Sequence, residues 1–417
     1  MYSFAANFLQ KKFNFDAHYF LKGGFWLSLT QGIIVLAGIL TTSLFAHYLS
    51  ETDYGIYRYL IGLAVLFSSL SLTGLGQSIL QTAAKKYYGF YQETITINFI
   101  YNLGVLFSAL AGAGYYFYKG NIVLSVGCLL IAVLQPIINS FQFTSTYLQG
   151  SGKFRESTFL QGVKTLLISL ISLISLLLTN NIIVLAGVYF TANAFTNVFS
   201  YLYYKPKKTN PTPYIEYIKY LEYAKHTSAR NVLSVIANRA DAVIIFTQLG
   251  APALAIYTIA MIIPEQIKAS FKNFSSLLIP KYVKHSNDQV LKKSIPKRSF
   301  QLFFITIISS ALYILLAPII YELLFPKYTE AIVFSQLIAL SLPTVIALLP
   351  LSYIQKELAG NSLYKIQLLS ACVLLILMIL GTIIFGLIGA ILAKVISRYF
   401  ETIITFVAFL QISKKVA

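Results

Sequence analysis

Charge is what this 417-residue chain has least of: only 11% of its residues are Asp, Glu, Lys or Arg. A water-soluble chain of this length carries roughly a quarter, because its surface must be hydrated. Acidic residues are scarcest, 14 against 32 Lys and Arg, which leaves a net charge of +18. That excess is spread over many short loops rather than gathered on one face, which argues against nucleic acid as a partner. Cysteine is almost missing, and Cys128 and Cys372 both lie within apolar runs, so neither a disulfide framework nor a metal site is expected. His18, His47, His226 and His285 are scattered without metal-ligand spacing. There is no Gly-x-x-x-x-Gly-Lys-Ser/Thr loop, which excludes an ATPase within the chain.

What the chain has instead is hydrophobic residues, 57% of the total, with a mean hydropathy of +0.72. About 20 apolar residues cross a hydrocarbon core of about 30 Å, and such runs repeat from end to end. The pattern predicts an all-α polytopic membrane protein with about twelve transmembrane helices. The first six expected spans are 25–48, 57–80, 94–118, 122–148, 158–178 and 182–203. The second six are 228–249, 253–279, 300–323, 331–354, 363–385 and 387–412. Tight breaks are expected at Thr179–Asn181, at Gly250–Pro252 and at Gly386. Residues 1–22 mix Phe, Tyr, Lys and Asn without a continuous apolar core, and read as an interfacial segment rather than a signal peptide.

Lys and Arg alternate from loop to loop. One set of loops collects Lys85 and Lys86, Lys153 and Arg155, the lysines of 205–225, and those of 281–297. The opposite set holds only Arg58, Lys119 and Lys327. The positive-inside rule then puts both termini of this multi-pass protein in the cytoplasm. The Pro- and Lys-rich stretch 205–225 reads as a cytoplasmic linker between two six-helix lobes, 23–204 and 226–413, with a tail at 414–417. Residues 49–57 (LSETDYGIY) and 249–257 (LGAPALAIY) share a frame of a short turn followed by small-Ile-Tyr, which suggests an internal duplication of parallel repeats.

The stretch from Leu44 to Tyr57 resembles the first-loop signature of the Wzx-type oligosaccharide (O-antigen/polysaccharide) flippases, members of the polysaccharide transporter family within the multidrug/oligosaccharidyl-lipid/polysaccharide (MOP) superfamily. Gly74-Leu75-Gly76, Asn238-Arg239-Ala240-Asp241 and Phe325-Pro326-Lys327-Tyr328 are similar to further elements of that family, although Pro326 stands where the family usually has Gly. The resemblance implies a MATE-like fold of two six-helix bundles around a V-shaped cavity. It implies an undecaprenyl-diphosphate-linked oligosaccharide as cargo, the lipid bilayer as surroundings, other polysaccharide-assembly proteins as partners, and no enzymatic activity. Three alternatives stay open: a multidrug or cation-coupled extruder of the same superfamily, a peptidoglycan-precursor flippase, and an integral enzyme. Peptidoglycan-precursor flippases usually have two further helices, and membrane glycan polymerases usually carry a large external loop.

Ionisable residues inside the spans are costly, and are the first candidates for function. Arg239, Lys268, Lys394 and Arg398 are the candidates for an anionic headgroup, because a diphosphate stripped of water needs cations to replace its hydration. Asp241, Glu265 and Glu401 are candidates for a coupling ion, H+ or Na+, and equally for plain counter-ions; no cofactor is expected. Arg239 and Asp241 are two residues apart, about 200° round a helix, so each needs a partner from elsewhere. Glu265 and Lys268 share one face at i,i+3, and Lys394, Arg398 and Glu401 form a stripe at i, i+4 and i+7. Arg230 and Lys272 lie nearer an interface. Arg58, Lys164, Glu322 and Lys365, each within about two turns of a span end, read as snorkelling. Gln77, Gln135, Asn139 and Gln142 are candidates for sugar contacts, with interhelical hydrogen bonding as the commoner use of such groups.

Overall fold

The computed structural model describes residues 17–205, 212–276, 288–356 and 360–415. Among them are fifteen α-helices, one short 3-10 helix and no strand. In chain order the first nine are α1 (Ala17–Tyr48), α2 (Glu51–Ser68), α3 (Leu75–Ala84), α4 (Gly89–Tyr101), α5 (Leu103–Tyr118), α6 (Ile122–Phe141), α7 (Thr144–Gly150), α8 (Phe154–Leu178) and α9 (Ile182–Tyr204). The remaining six are α10 (Tyr214–Leu249), α11 (Ala251–Ser276), α12 (Asp288–Leu324), α13 (Ala331–Ala339), α14 (Leu348–Lys356) and α15 (Gly360–Lys415). The 3-10 turn Leu342–Ala347 joins α13 to α14.

Eight stretches of the described residues are long and apolar enough to cross a membrane. One of them, Leu363–Ser413, contains two of the expected spans. They are separated inside α15 at Gly386, whose φ of 61° and ψ of −139° leave the helical region. A side chain is poorly tolerated in that backbone state, and glycine occupies it without a Cβ clash. Three expected spans are absent from the eight. They correspond to α2, α10 and α11, whose buried or capping charges lower their hydropathy. The breaks at Thr179–Asn181 and Gly250 are where the residues predict them.

Several spans are less regular than expected. The run 57–80 is interrupted between Ser68 and Leu75, and 331–354 contains the 3-10 turn that begins with Leu342-Pro343. Proline has no amide hydrogen, which fits it to the first turn of such a segment. Helix α2 also begins earlier than the hydropathy suggested. Ser50 caps it, its Oγ accepting from the Asp53 amide at 3.1 Å and donating to Asp53 Oδ2 at 2.7 Å. Glu51 and Asp53 then set negative charge at the positive end of the helix dipole. The acidic turn before Tyr54-Gly55 is therefore a helix start. Likewise 214–225, expected within the linker, forms the first turns of α10, while 206–211 and most of the expected N-terminal segment lie outside the described residues.

The chain divides into two compact units. The first comprises residues up to Thr41, Leu70–Leu178 and Gly187–Ser228; the second comprises Thr42–Ser69, Thr179–Ala186 and Ala229 onward. In the first unit an aromatic core of Phe90, Tyr91, Tyr147 and Tyr220 packs with Leu72, Leu75 and Ile79. Two bonds tie α3 to α10 there: the Gly74 amide donates to Ser228 Oγ at 2.9 Å, and Ser78 Oγ donates to the Tyr220 carbonyl at 2.9 Å.

In the second unit α2 packs on α11 at very close range. A Cβ on Gly55 would fall 2.0 Å from the Ala251 carbonyl oxygen, so only glycine permits the approach. Tyr59 stacks on Phe246 with ring centroids 3.8 Å apart. Tyr54 meets Tyr328 edge to face at 6.3 Å. Phe325 and Tyr328, part of the family-like segment 325–328, are both 1% exposed. That segment is a packing element.

Candidate functional site

A cavity of about 540 Å3 lies within the second unit, lined from α2, α10, α11 and both arms of α15. Its charged lining consists of Arg58, Arg239, Lys268, Lys394 and Arg398 against Asp241, Glu265 and Glu401, a surplus of two positive charges. All seven ionisable residues singled out from the sequence as headgroup or coupling candidates line it. They converge because α15 lies beside α10 and α11, and the stripe of Lys394, Arg398 and Glu401 on its second arm faces inward.

The carboxylates select partners across helices. Asp241 Oδ2 accepts from Lys394 Nζ at 2.9 Å and from the Tyr257 hydroxyl at 2.8 Å, and its Oδ1 accepts from the Ala242 amide at 2.8 Å. Asp241 is 8% exposed and Lys394 5%. Arg398 bonds Glu265 Oε1 through Nη2 and donates from Nη1 to Ser341 Oγ at 2.8 Å. Glu265 therefore pairs with Arg398, from another helix, rather than with Lys268 one turn along its own. The Arg398 side chain keeps 10% of its exposure and that of Glu265 38%, so the guanidinium is the buried member that needs a partner, and its planar fork holds Glu265 and Ser341 together.

Arg239 is exposed and makes no hydrogen bond or ion pair to any described residue. Lys268 is half-buried and belongs to neither pair. Removing the two neutralised pairs leaves Arg58, Arg239 and Lys268 facing Glu401. Gln367 Oε1 and Ser370 Oγ, on the first arm of α15, are buried in the lining without a partner among the described residues. The cavity thus offers cations and unused polar atoms together.

Two residues read from the sequence as snorkelling have protein surroundings in the structure. Arg58 lines the cavity, because capping at Ser50 starts α2 early and places Arg58 two turns inside the helix. The cap was readable in Ser50-Glu51-Thr52-Asp53. Lys164 is half-buried in the first unit, donating to Asn197 Oδ1 at 2.5 Å. The side chains of Arg230 and Lys272 lie outside the described residues.

The amides proposed for sugar contacts belong to the first unit, where three of them are bonded internally. Gln135 Nε2 donates to Asn139 Oδ1 at 3.0 Å, and Asn139 Nδ2 donates to Asn102 Oδ1 at 2.9 Å. Asn98 Nδ2 and Gln142 Nε2 both donate to the Asn139 carbonyl, at 3.0 and 3.3 Å. Pro136 lies inside α6, and Ser140 Oγ donates to its carbonyl at 2.8 Å. The network joins α4, the α4–α5 junction and α6, which is the interhelical use of such groups. Gln77 is exposed on α3. Among the described residues no three His, Cys, Asp or Glu are grouped to hold a metal ion.

This architecture is that of a multi-pass membrane protein with the MOP transporter fold. The chain is similar to a structure titled lipid II flippase MurJ in an inward closed conformation, with TM-score 0.69 and 15% identity over 93% of this chain and 89% of that one. It is also similar to an outward-facing multidrug resistance MATE family transporter, with TM-score 0.64 and 14% identity over 95% and 96%. A MOP superfamily transporter from Pyrococcus furiosus, whose title reports a reversed polarity of the binding pocket, matches with TM-score 0.65 and 13% identity over 95% of each chain. No curated protein sequence matches the chain. The profile described as polysaccharide biosynthesis protein matches residues 20–271, more than half the length, and the chain belongs to that family.

Proposed function

We propose that this protein is a flippase that moves an undecaprenyl-diphosphate-linked oligosaccharide from the cytoplasmic to the outer leaflet of a bacterial inner membrane. The glycan would serve a cell-surface polysaccharide such as O-antigen, capsule or exopolysaccharide. The observation that carries the reading is the cationic surplus of the cavity, +2 among its eight charged side chains. An anion leaving water for hydrocarbon loses a large hydration energy, tens of kcal/mol for a bare charge on the order of the Born estimate. A ring of cations in a low-dielectric wall restores much of it. Arg239 and Lys268, outside the two pairs, meet the diphosphate first; Lys394 and Arg398 shift toward it as Asp241 and Glu265 release them. Gln367 and Ser370 supply hydrogen bonds for sugar hydroxyls.

Membership of the polysaccharide biosynthesis family supports a glycan as cargo. The likeness to a protein titled lipid II flippase supports a lipid-linked one. Transport proceeds by alternating access, with both termini cytoplasmic, and Asp241 or Glu401 is the site for a coupling H+ or Na+. In cells, Arg239→Ala is expected to stop glycan export and to accumulate undecaprenyl-linked glycan on the inner leaflet, with protein abundance unchanged. Normal export by a variant lacking Arg58, Arg239 and Lys268 together would refute the anionic cargo. Drug efflux by the wild type, with no change in surface glycan on deletion, would favour an extruder instead.

A further inference from the structure

On the first unit, two apolar troughs flank α8. One, of about 1020 Å3, is bounded by Trp26, Leu29 and Ile33 of α1 and by Leu166 of α8. The other, of about 400 Å3, lies toward α9, bounded by Leu167, Phe195 and Phe199. Phe159, Val163 and Tyr204 belong to both, so the troughs join near the start of α8, where α9 ends. Lys153 and Arg155 line the larger trough at that end. Lys153 shares its charge with Glu156 at 3.6 Å, and Arg155 is exposed.

Lys164 lines the smaller trough, ten residues into α8. Its Cα is roughly 15 Å along the axis, and a helical side chain leans back toward the helix start, here the basic end. Its one partner among the described residues is the neutral Asn197 Oδ1 at 2.5 Å. An ammonium kept at such depth without a carboxylate lacks a counter-charge. The lining carries Lys153, Arg155 and Lys164 against Glu156, a surplus of two positive charges.

We propose that the troughs hold the two acyl chains of one anionic diacyl phospholipid drawn from the bilayer. Its phosphate lies at Arg155 and Lys153, and its ester region faces Lys164. The fork carries the choice of occupant: two troughs leave one basic end and pass either side of one helix, as two chains leave one glycerol. A single-chain isoprenoid would fill only one. The proposal is independent of the transported cargo.

Trp26 is the only tryptophan in the chain and it lines the larger trough, so its fluorescence reports occupancy. The full-length protein is reconstituted in phosphatidylcholine vesicles containing a small fraction of lipid brominated on its acyl chains. Brominated phosphatidylglycerol is expected to quench Trp26 at a lower mole fraction than brominated phosphatidylcholine. Arg155→Gln and Lys164→Gln should each weaken that preference roughly fivefold, as for loss of one cation beside an anionic headgroup. Equal quenching by the two lipids, or a preference that survives both substitutions, would overturn the proposal. So would displacement of brominated phosphatidylglycerol by unlabelled polyprenyl phosphate at a mole fraction where unlabelled phosphatidylglycerol has no effect. If Lys164→Gln does not fold, Arg155→Gln decides alone, since Arg155 is exposed.

Discussion

Replacing Asp241 with Asn is expected to destabilise the second unit by about 3–5 kcal/mol, the cost of leaving one member of a buried ion pair without its partner. The magnitude follows from the burial of both groups. The side chains of Asp241 and Lys394 retain 11% and 7% of their exposure, and Nζ lies 2.9 Å from Oδ2. In Asp241→Asn an amide oxygen in the place of Oδ2 still accepts from the Tyr257 hydroxyl, so the loss is the counter-charge of Lys394 together with the bond that Oδ1 accepts from the Ala242 amide. Removing both charges in Asp241→Asn with Lys394→Met should recover most of the loss, because no buried charge then remains. Unfolding by detergent titration of the four proteins of this cycle measures the coupling. A cost below about 1 kcal/mol for Asp241→Asn, as for an exposed ion pair, would refute the buried pairing. The same cycle separates structure from transport. A purely structural Lys394 predicts a doubly substituted protein that folds and exports glycan, whereas a headgroup role predicts one that folds and does not.

Gly55→Val puts side-chain atoms where the Ala251 carbonyl already lies, so α2 and α11 must part. A lowered thermal midpoint is expected, and an unchanged one would contradict the close packing. Gly386→Ala imposes a strained backbone state between the arms of α15, worth about 1–3 kcal/mol of stability in the same assay. Asn139→Leu breaks the interhelical bond to Asn102 and the bond from Gln135 one turn away on α6, and should cost about 1–3 kcal/mol, the range for leaving a buried polar partner unsatisfied. If the variant is stable but export falls, Asn139 has a role beyond the network.

Much of the helical architecture is legible from local chemistry. A bilayer demands about 20 apolar residues per crossing and satisfied backbone groups throughout, so hydropathy alone marks most spans. Asn181 caps the start of α9, its Oδ1 accepting from the Ile183 amide at 2.9 Å, and Gly250 and Gly386 interrupt helices through their positive φ. The concentration of ionisable residues on α10, α11 and the second arm of α15 is equally visible, since each charge interrupts an apolar run. Arg58 shows where a cue was present and outweighed: Ser50 and the acidic turn mark a helix start, but the hydropathy window began at Tyr57.

Pairing was decided by the tertiary structure. Periodicity puts Glu265 and Lys268 on one face, yet Glu265 bonds Arg398, which is 133 residues away. Nothing local distinguishes those two cations; the approach of α15 to α11 does. The amides of α6 illustrate the same limit, because Gln135 and Asn139 share a face that suits a cavity or a neighbouring helix equally well. By itself the sequence determined that this chain lives in a membrane, which helices carry charge and where they break, since those properties depend on residues near in the chain. Which carboxylate neutralises which cation, and hence which positive charges remain for an anion, depended on long-range packing that brings side chains of distant helices to 2.9 Å, as at Lys394 and Asp241.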